Sequence, residues 1–413
     1  MRILLIDVYH YNKGGAETVC FNTGAMLEEQ GHQVVYFTLK WDNNLPSKYE
    51  KYFPESKETR KGIFRQVINL RNYFYYPDAA KKIERLILET HPDIAHIHLM
   101  WGQISPSIFP VLKKYNIPIV FTIHDYRIVC PAYCFKNGFG NICEACNGKD
   151  FYKCFTHKCT KGSYFLSFFM AAEQYFRNKF FNPCQYLNGL IYVSQFSQEK
   201  HEKYMPGLIK IPHIVMHNFS LTQKKEIENK KEKYLLFLGR LSEEKGIMTL
   251  IKSLKYGNTL PIKIAGTGPL EKNIKEYILA NQIKNIEMLG YKQGEELTKL
   301  IQEAYFIIVP SECYENNPMS IIEAYSYGIP VIGSKIGGIP EIIKEKETGY
   351  TFSMGNSKEL AELIKKIENL SDEEYLQLCK NCISYAEEDM SKESYYKRLI
   401  SFYNKILSLK NQA

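Results

Sequence analysis

Residues 234–246 read "YLLFLGRLSEEKG". A short apolar run is typical of a buried strand, and the glycine and charged residues after it favour a turn into a helix. Strands that alternate with helical stretches indicate parallel βαβ units. The same order recurs downstream in "PIKIAGTG" (261–268), "NIEMLG" (285–290), "AYFIIVPS" (304–311) and "IPVIGS" (329–334).

The N-terminal half repeats this alternation. We therefore expect two tandem Rossmann-like, doubly wound α/β domains facing a shared cleft, because ligands bind at the carboxyl ends of parallel strands. The predicted N-terminal strands lie within residues 2–8, 31–39, 92–98, 117–124, 189–194 and 211–218.

The pattern also predicts the domain limits. An N-terminal Rossmann-like domain spans residues 1–220 and carries an aperiodic, Cys-rich insertion at 130–160. A charged linker at 221–233 leads into a second Rossmann-like domain at 234–390. The last segment, 391–413, is predicted to be a helix that packs back on the N-terminal domain.

Composition narrows the class of partner. The 413 residues carry a net charge of +8, which favours nucleotides, phospholipid surfaces or nucleic acids, or simply reflects a Lys-rich surface. No apolar stretch reaches the roughly 18 residues that span a bilayer, and the first apolar run is interrupted by Asp7. We expect a cytoplasmic protein whose cysteines are thiols or metal ligands.

Glycine-bearing turns follow several predicted strands. Gly14 and Gly15 follow the first, and Gly266 and Gly268 follow a strand of the second half. Such glycines let backbone amides approach a phosphate or sugar, although each turn could also be ordinary turn chemistry. The full dinucleotide fingerprint is missing, so an NAD site is not supported.

Charged residues flank the turns of the second half. Arg240 and Lys245 suit a diphosphate, or form a solvated basic loop. In "ECYENNPMSIIEAYSYG" (312–328) a helix is expected to begin near Pro318. It would leave the amides of Met319 and Ser320 unpaired for an anion.

Two glutamates in the same stretch are candidate acceptors of hydroxyl groups. Glu323 would lie one turn into the helix and accept from ribose hydroxyls, and Glu315 from sugar hydroxyls. The alternative is helix-dipole complementarity, worth about 0.3–1 kcal/mol.

In order and spacing these motifs resemble the retaining glycosyltransferases of family 4. The resemblance covers residues 1 to about 355 and is most specific in the second domain. It implies the GT-B architecture, which agrees with the two-domain prediction. The motifs that carry it are "GGAE", "LEEQGHQVVYFT", "PDIAHIH", "FTIHDY", "YVSQFSQ", "GRLSEEKG", "AGTGP", "ECYENNPMSIIEAYSYGIPVIGS", "GGIPEII" and "TGYTF".

The resemblance also implies roles. His124 would reach the transferred sugar, Asn317 would lie beside the phosphates and sugar, and Gly15 would let the first domain close on the donor. The expected donor is a UDP- or GDP-sugar, and the acceptor a glycan or lipid-linked glycan of bacterial surface polysaccharide. Catalysis would need no cofactor, and the chain contains no Asp-x-Asp pair. Many relatives have Gly-Phe-Gly after the first glutamate, where this chain has "CYENNPM".

Six of the eleven cysteines lie in residues 130–159. Cys143-x2-Cys146 with Cys154 and Cys159 has the spacing of a structural zinc site, and Cys130, Cys134 and His157 are alternative ligands. An unmetallated, thiol-rich loop fits the spacing equally well.

The aromatic segment "GSYFLSFFMAAEQYFRNKFF" (162–181) follows. It predicts either a helix in the interface of the inner membrane, giving peripheral association, or a core helix. "RNYFYYP" (71–77) is a second candidate of the same kind.

Two other functions are open. A sugar-nucleotide epimerase or phosphorylase could use the same fold, although the Arg240/Lys245 and Glu315/Glu323 pairs favour a transferase. A zinc-stabilised nucleic-acid-binding protein would explain the cysteines and charge. Its basic residues would form a stripe, whereas here they are scattered, so we expect no nucleic-acid partner.

Overall fold

The computed structural model describes residues 1–56, 70–221, 232–257 and 259–412. The chain divides into two compact units. One comprises Met1–His217 with Tyr395–Ala413, and the other comprises Asn218–Ser394. Most of the predicted linker, residues 221–233, lies outside the described residues.

The first unit is built on a six-stranded parallel sheet of order β2-β1-β3-β4-β5-β6. Its strands are short and apolar because both faces of a parallel sheet are covered by helices. They are β1 (Arg2–Ile6), β2 (Gln33–Phe37), β3 (Ile94–Ile97), β4 (Ile119–Ile123), β5 (Gly189–Tyr192) and β6 (His213–Val215).

Helices connect these strands. Between β4 and β5 lies a long segment that contains the six clustered cysteines and two helices, α4 (Tyr152–Thr156) and α5 (Tyr164–Phe180). Apart from the last helix of the chain, the α-helices of this unit whose bounds are described are α1 (Gly15–Glu29), α2 (Pro77–Thr90), α3 (Ile108–Lys114), α4 (Tyr152–Thr156), α5 (Tyr164–Phe180) and α6 (Gln195–Tyr204).

The second unit has its own six-stranded parallel sheet, of order β12-β11-β10-β7-β8-β9. The sequence pattern predicted every strand except β12. The strands are β7 (Leu235–Leu238), β8 (Ile262–Ala265), β9 (Ile286–Gly290), β10 (Phe306–Val309), β11 (Val331–Ser334) and β12 (Gly349–Phe352).

Helices cover the sheet of the second unit. These helices are α7 (Ile247–Ser253), α8 (Glu271–Ala280), α9 (Gly294–Glu303), α10 (Met319–Ser326), α11 (Ile339–Ile342), α12 (Ser357–Glu368) and α13 (Asp372–Asp389). One core cluster joins buried apolar residues of β7, β8, β10, β11 and β12 with those of four helices, α7, α8, α12 and α13. The predicted fold class, two tandem Rossmann-like units, is confirmed.

The last helix, α14 (Lys392–Gln412), contributes to the first unit from Tyr395 onward. It packs on β5 at Gly189, where a Cβ atom would lie 3.0 Å from the side chains of Phe402 and Ile406. The hydroxyl of Tyr403 lies 2.6 Å from Nδ1 of the buried His96. Gly189 therefore lets the helix approach the sheet closely.

Candidate active site

In the second unit, two loops at the carboxyl edge of the sheet meet backbone to backbone. Gly266, which follows β8, has φ of 151°, and a Cβ there would lie 1.8 Å from the carbonyl oxygen of Gly239. A Cβ on Gly268 would lie 2.4 Å from the carbonyl oxygen of Leu241. The amide of Leu241 donates to Thr267 at 3.0 Å. The "AGTGP" glycines thus have a packing reason to be there, independent of any ligand.

Lys245 and Glu315 form an ion pair at this edge, with 2.6 Å between Nζ and Oε1. The hydroxyl of Ser311 also donates to Oε1 of Glu315, at 2.9 Å. Burial opposes the charge on Lys245, but the Glu315 carboxylate together with Cys313 and Glu244 outweighs burial, so the pKa of Lys245 is raised above its usual value. The ammonium group is therefore charged at neutral pH.

Two glycines position this ion pair. Gly246 has φ of 65°, and a Cβ there would lie 1.7 Å from the carbonyl oxygen of Pro310, so the turn bearing Lys245 meets the end of β10. Gly337 has φ of 60°, and a Cβ there would lie 2.2 Å from the carbonyl oxygen of Glu315. The amide of Gly338 donates to that same oxygen at 2.7 Å. Three loops therefore converge on the Lys245–Glu315 pair.

Glu323 lies one turn into α10. No hydrogen bond or ion pair engages its carboxylate within the described part of the chain. Burial raises the pKa of Glu323 to about 7. This carboxylate can accept hydrogen bonds from a ligand without breaking an existing contact.

The start of α10 is held by an asparagine pair. The amide of Asn218 donates to Oδ1 of Asn317 at 2.9 Å, and Nδ2 of Asn218 donates to the carbonyl of Asn317 at 2.9 Å. Among the described residues, Nδ2 of Asn317 is buried without a partner. Met319 and Ser320 occupy the first two helical positions, ahead of the first helical bonds to Pro318. Their amides lie at the positive end of the helix dipole.

Arg240 is exposed in the loop after β7. Its guanidinium forms no ion pair with any residue that the structure describes. The second unit thus holds an unpaired cation, the Lys245–Glu315 pair and the Glu323 carboxylate in loops and a helix that follow its strands. This set can bind a phosphate-bearing ligand with hydroxyl groups.

In the first unit, His124 directly follows β4. Its Nε2 lies 3.0 Å from Nδ1 of His98, and the two rings stack with centroids 5.3 Å apart. Burial lowers the pKa of His124 to about 3, so the imidazole is neutral at physiological pH. Sequence reasoning missed His98, although it ends the neighbouring strand in "HIH" and adjacent parallel strands bring their ends together.

The turn after β1 contains Gly14 and Gly15, both exposed at the start of α1. Next to them lie two buried carboxyl groups that sequence reasoning did not single out, Asp7 and Glu17. Burial raises the pKa of both, and the Glu17 charge raises that of Asp7 further. The first unit therefore carries protonatable groups near its strand ends as well as His124.

The clustered cysteines are not grouped as the predicted zinc site requires. All are free thiols, and the described residues contain no group of three or more His, Cys, Asp or Glu side chains that could hold a metal ion. The structure therefore gives no support to Cys130, Cys143, Cys146, Cys154 and Cys159 as zinc ligands.

Packing accounts for several of these thiols instead. Cys154 is buried with Phe151 and Ala171, and Cys146 and Cys159 pack against this cluster. Burial is the main cause that raises the pKa of Cys146, to about 12. A protonated, buried thiol behaves as a small apolar side chain. Sγ of Cys143 lies 3.4 Å from Nδ1 of His157, one of the predicted alternative ligands.

Two family models match the chain. Residues 13–212 match the model described as Glycosyltransferase Family 4, and residues 218–389 match Glycosyl transferases group 1. An uncharacterised glycosyltransferase of Methanocaldococcus jannaschii is 25% identical over 374 residues, covering 89% of each chain. A putative colanic acid biosynthesis glycosyltransferase of Escherichia coli is 25% identical over 177 residues, covering 40% of this chain and 44% of that one.

Solved structures show the same fold. The sucrose-phosphate synthase of Thermosynechococcus elongatus superposes with a TM-score of 0.72 at 16% identity, covering 99% of each chain. The Anabaena protein HepE, solved in complex with UDP, superposes with a TM-score of 0.64 at 16% identity, covering 98% of this chain and 100% of that one.

Proposed function

Because the chain belongs to the family 4 glycosyltransferases and has the GT-B type of fold, we propose that it moves a sugar from a nucleotide diphosphate-sugar to a glycan or lipid-linked glycan. In this proposal the anomeric configuration is retained and no metal takes part in the chemistry. The observation that carries it is the Lys245–Glu315 ion pair, since it places a charged ammonium beside a carboxylate at a strand end of the second unit.

In this proposal, different residues of the second unit bind the diphosphate, the ribose and the sugar of the donor. Arg240 and Lys245 bind the diphosphate, with the amides of Met319 and Ser320 as further donors at a helix N-terminus. Glu323 accepts hydrogen bonds from the ribose hydroxyls, and Glu315 from the transferred sugar. Asn317 and the Gly266–Gly268 turn shape the loops around the phosphates.

In the proposed reaction, the bond between the anomeric carbon and the diphosphate oxygen breaks, and the acceptor hydroxyl attacks from the same face. Its proton passes to the departing diphosphate. Arg240 and Lys245 stabilise the negative charge that develops on the leaving group. In the first unit, the neutral His124 supplies a hydrogen bond to the sugar, and Gly14 and Gly15 allow close backbone approach.

The proposed setting is bacterial surface polysaccharide assembly. The similar Escherichia coli protein is named for colanic acid biosynthesis, and the similar Anabaena structure contains UDP. We therefore favour a UDP-sugar over a GDP-sugar as donor. A lipid-linked acceptor would bring this cytoplasmic enzyme to the inner face of the membrane.

The test of the donor site is a thermal-shift panel of UDP, GDP, dTDP, CMP and ADP. A nucleotide at about 100 times its dissociation constant adds about 2.7 kcal/mol of stability. We expect one nucleotide to stabilise the wild type and Glu276→Gln, an exposed control on α8, but not Glu323→Gln. Equal stabilisation of all three proteins would refute the role of Glu323.

Lys245 is tested by kinetics with the donor that the panel identifies. Lys245→Ala should lower kcat about 10²–10³-fold, because one preorganised charge at the leaving group is lost. Lys272→Ala, on the exposed surface of α8, is the matched control and should keep the wild-type rate. Near-normal turnover of Lys245→Ala would remove Lys245 from the mechanism.

A further inference from the structure

Helix α5 has an inverted distribution of side chains. Its buried side includes Glu173, Gln174 and Arg177. Its solvent side carries Tyr164, Phe165 and Phe168, which are 53%, 63% and 60% exposed. A surface helix in water normally shows the reverse arrangement. This distribution of side chains suits a helix whose exposed side contacts an apolar medium.

The polar contacts of the buried side fix the rotation of this helix. Arg177 is fully buried, donates to Glu173 at 2.9 Å and to the carbonyl of Arg127 at 2.8 Å, and lies over the ring of Trp101. Nε2 of Gln174 donates to the carbonyl of Ile128 at 2.7 Å. Turning the aromatic residues inward would break these bonds and leave buried polar groups unpaired, which is costly.

The neighbouring helix α4 extends the same surface. The ring of Phe155 lies 5.3 Å from that of Tyr164 and 6.2 Å from that of Phe168. The amide of Tyr152 donates to the hydroxyl of Tyr175. All these side chains are exposed, and together they form what we call the aromatic face: Tyr152, Phe155, Tyr164, Phe165, Phe168 and Tyr175.

The segment that bears the aromatic face carries an excess of positive charge. Residues 149–180 contain six Lys or Arg and two acidic residues, an excess of four positive charges. Both acidic residues are paired, Asp150 with Lys153 and Glu173 with Arg177. The ammonium of Lys158 lies 4.4 Å from the centre of the Tyr164 ring, so charge and aromatic surface are contiguous.

We propose that the aromatic face docks on an anionic lipid bilayer and lies in its interface. Aromatic side chains are favoured at the headgroup level, and lysines beside them attract anionic lipids. Among the described helices, none is long and apolar enough to cross a membrane. The aromatic and basic side chains of this surface therefore fit a protein that lies on the surface of the bilayer. This surface does not involve the donor-binding residues. It extends the proposed membrane setting, on which it rests, by identifying the surface that contacts the lipid.

Charge argues against a second copy of the chain as the occupant. A two-fold dimer would place the aromatic face against itself, with its positive charges facing one another. An anionic membrane supplies the opposite charge and an apolar layer together. The bilayer is therefore the occupant that matches both properties of the surface.

The experiment is sedimentation of the full chain with unilamellar vesicles. Vesicles of phosphatidylglycerol and phosphatidylcholine in equal parts are compared with phosphatidylcholine alone. We expect binding to the anionic vesicles that weakens at high salt and is weaker on the neutral ones. Failure of the wild type to bind, or equal binding to both vesicle types, would overturn the proposal.

Variants locate the surface. Phe165→Ser/Phe168→Ser should weaken binding about tenfold or more, since two apolar side chains leave the interface. Leu279→Ser/Tyr291→Ser removes two exposed apolar side chains of the second unit and should bind like wild type. Lys158→Gln/Lys161→Gln should weaken binding to anionic vesicles only, and its control is Lys272→Gln/Lys358→Gln. Equal loss in test and control variants would refute the assignment.

Two further measurements distinguish lipid docking from self-association and from misfolding. Sedimentation velocity without lipid tests self-association, and a dimer that Phe165→Ser/Phe168→Ser dissolves would overturn lipid docking. The UDP thermal shift of the same variant should equal that of wild type. Loss of vesicle binding with an intact UDP shift supports the aromatic face, whereas loss of both would indicate misfolding and refute a local effect.

Discussion

At the residue scale, Glu323 is a binding group whose carboxyl group is available to a ligand. Its carboxyl group is partly buried and has no partner within the described residues, and burial raises its pKa to about 7. A folded-state pKa above the unfolded value means that the folded protein keeps a proton which the unfolded chain releases. Stability is therefore lost as pH rises from about 4.5 towards 7.

This predicts a stability gain on removing the charge. Glu323→Gln should raise the free energy of unfolding by about 1–3 kcal/mol at pH 8, and should change it little at pH 4. Urea unfolding at the two pH values measures this, with Glu276→Gln as the exposed control. A Glu323→Gln variant that is less stable than wild type at pH 8 would show that the carboxylate has a partner. If the prediction holds, Glu323→Gln gains stability at pH 8 and loses the stabilisation by UDP.

His98 illustrates a residue whose role depends on its neighbours. It is fully buried directly after β3, and its Nδ1 lies 3.0 Å from Nε2 of His124. His96, within β3, contacts the hydroxyls of Thr122 and Tyr403. Burial lowers the pKa of all three histidines, so they form a neutral set. A lone histidine after a buried strand does not reveal such a set in the sequence.

At the element scale, glycines in the loops of the second unit differ in how strictly they are required. Gly266 combines φ of 151° with a backbone oxygen in the place of its Cβ. Gly257 has φ of 89° and nothing within 4 Å of its Cβ position. A side chain at Gly266 would meet both a steric clash and backbone strain, whereas one at Gly257 would meet backbone strain alone.

Alanine substitutions at Gly257 and Gly266 should therefore destabilise the protein to different extents. Gly257→Ala should lower the free energy of unfolding by about 1 kcal/mol, the cost of a left-handed conformation. Gly266→Ala should lower it by at least about 3 kcal/mol, because the backbones of two loops must also separate. Urea unfolding measures both. Similar values for the two variants would mean that the loops can part at little cost.

Helix α5 is the element for which sequence reasoning left two readings open. Aromatic residues at helical spacing fit a core helix as well as an interfacial one. The structure shows that Glu173 and Arg177 of this helix face inward, whereas Lys179 and most of the aromatic residues face solvent. Periodicity identified the amphipathic character, and the partners of Arg177 decided which side is buried.

At the scale of the whole molecule, the chain returns to its first unit at the end. Phe402 and Ile406 of α14 pack against β5, and Phe402 is buried. The first unit is therefore completed by residues that lie almost 200 positions after its last strand.

Phe402→Ala should consequently destabilise the first unit. A buried Phe→Ala change typically costs about 3–5 kcal/mol. Hydrogen exchange should become faster in peptides of β4, β5 and β6, and stay unchanged in those of β7 and β8. Phe165→Ala, at an exposed position, is the control. Faster exchange confined to the second unit would contradict the assignment of α14 to the first.

The alternation of short apolar runs, turn glycines and helical stretches predicted the fold class and eleven of the twelve strands. That prediction succeeds because burial on both faces of a parallel sheet imposes continuous apolar runs. β12 was missed because "GYTF" is short and opens with a glycine. The glycine there is required, since a Cβ would lie 1.9 Å from the carbonyl of Val331.

What the sequence by itself determined was the type and order of elements and the residues at their ends. These depend on local propensity and periodicity. Only the tertiary structure decided that Lys245 pairs with Glu315, that His98 holds His124, that the cysteines pack with Phe151, and which side of α5 faces solvent. Each of these depends on distances between residues far apart in the chain, and such distances follow from packing rather than from spacing along the sequence.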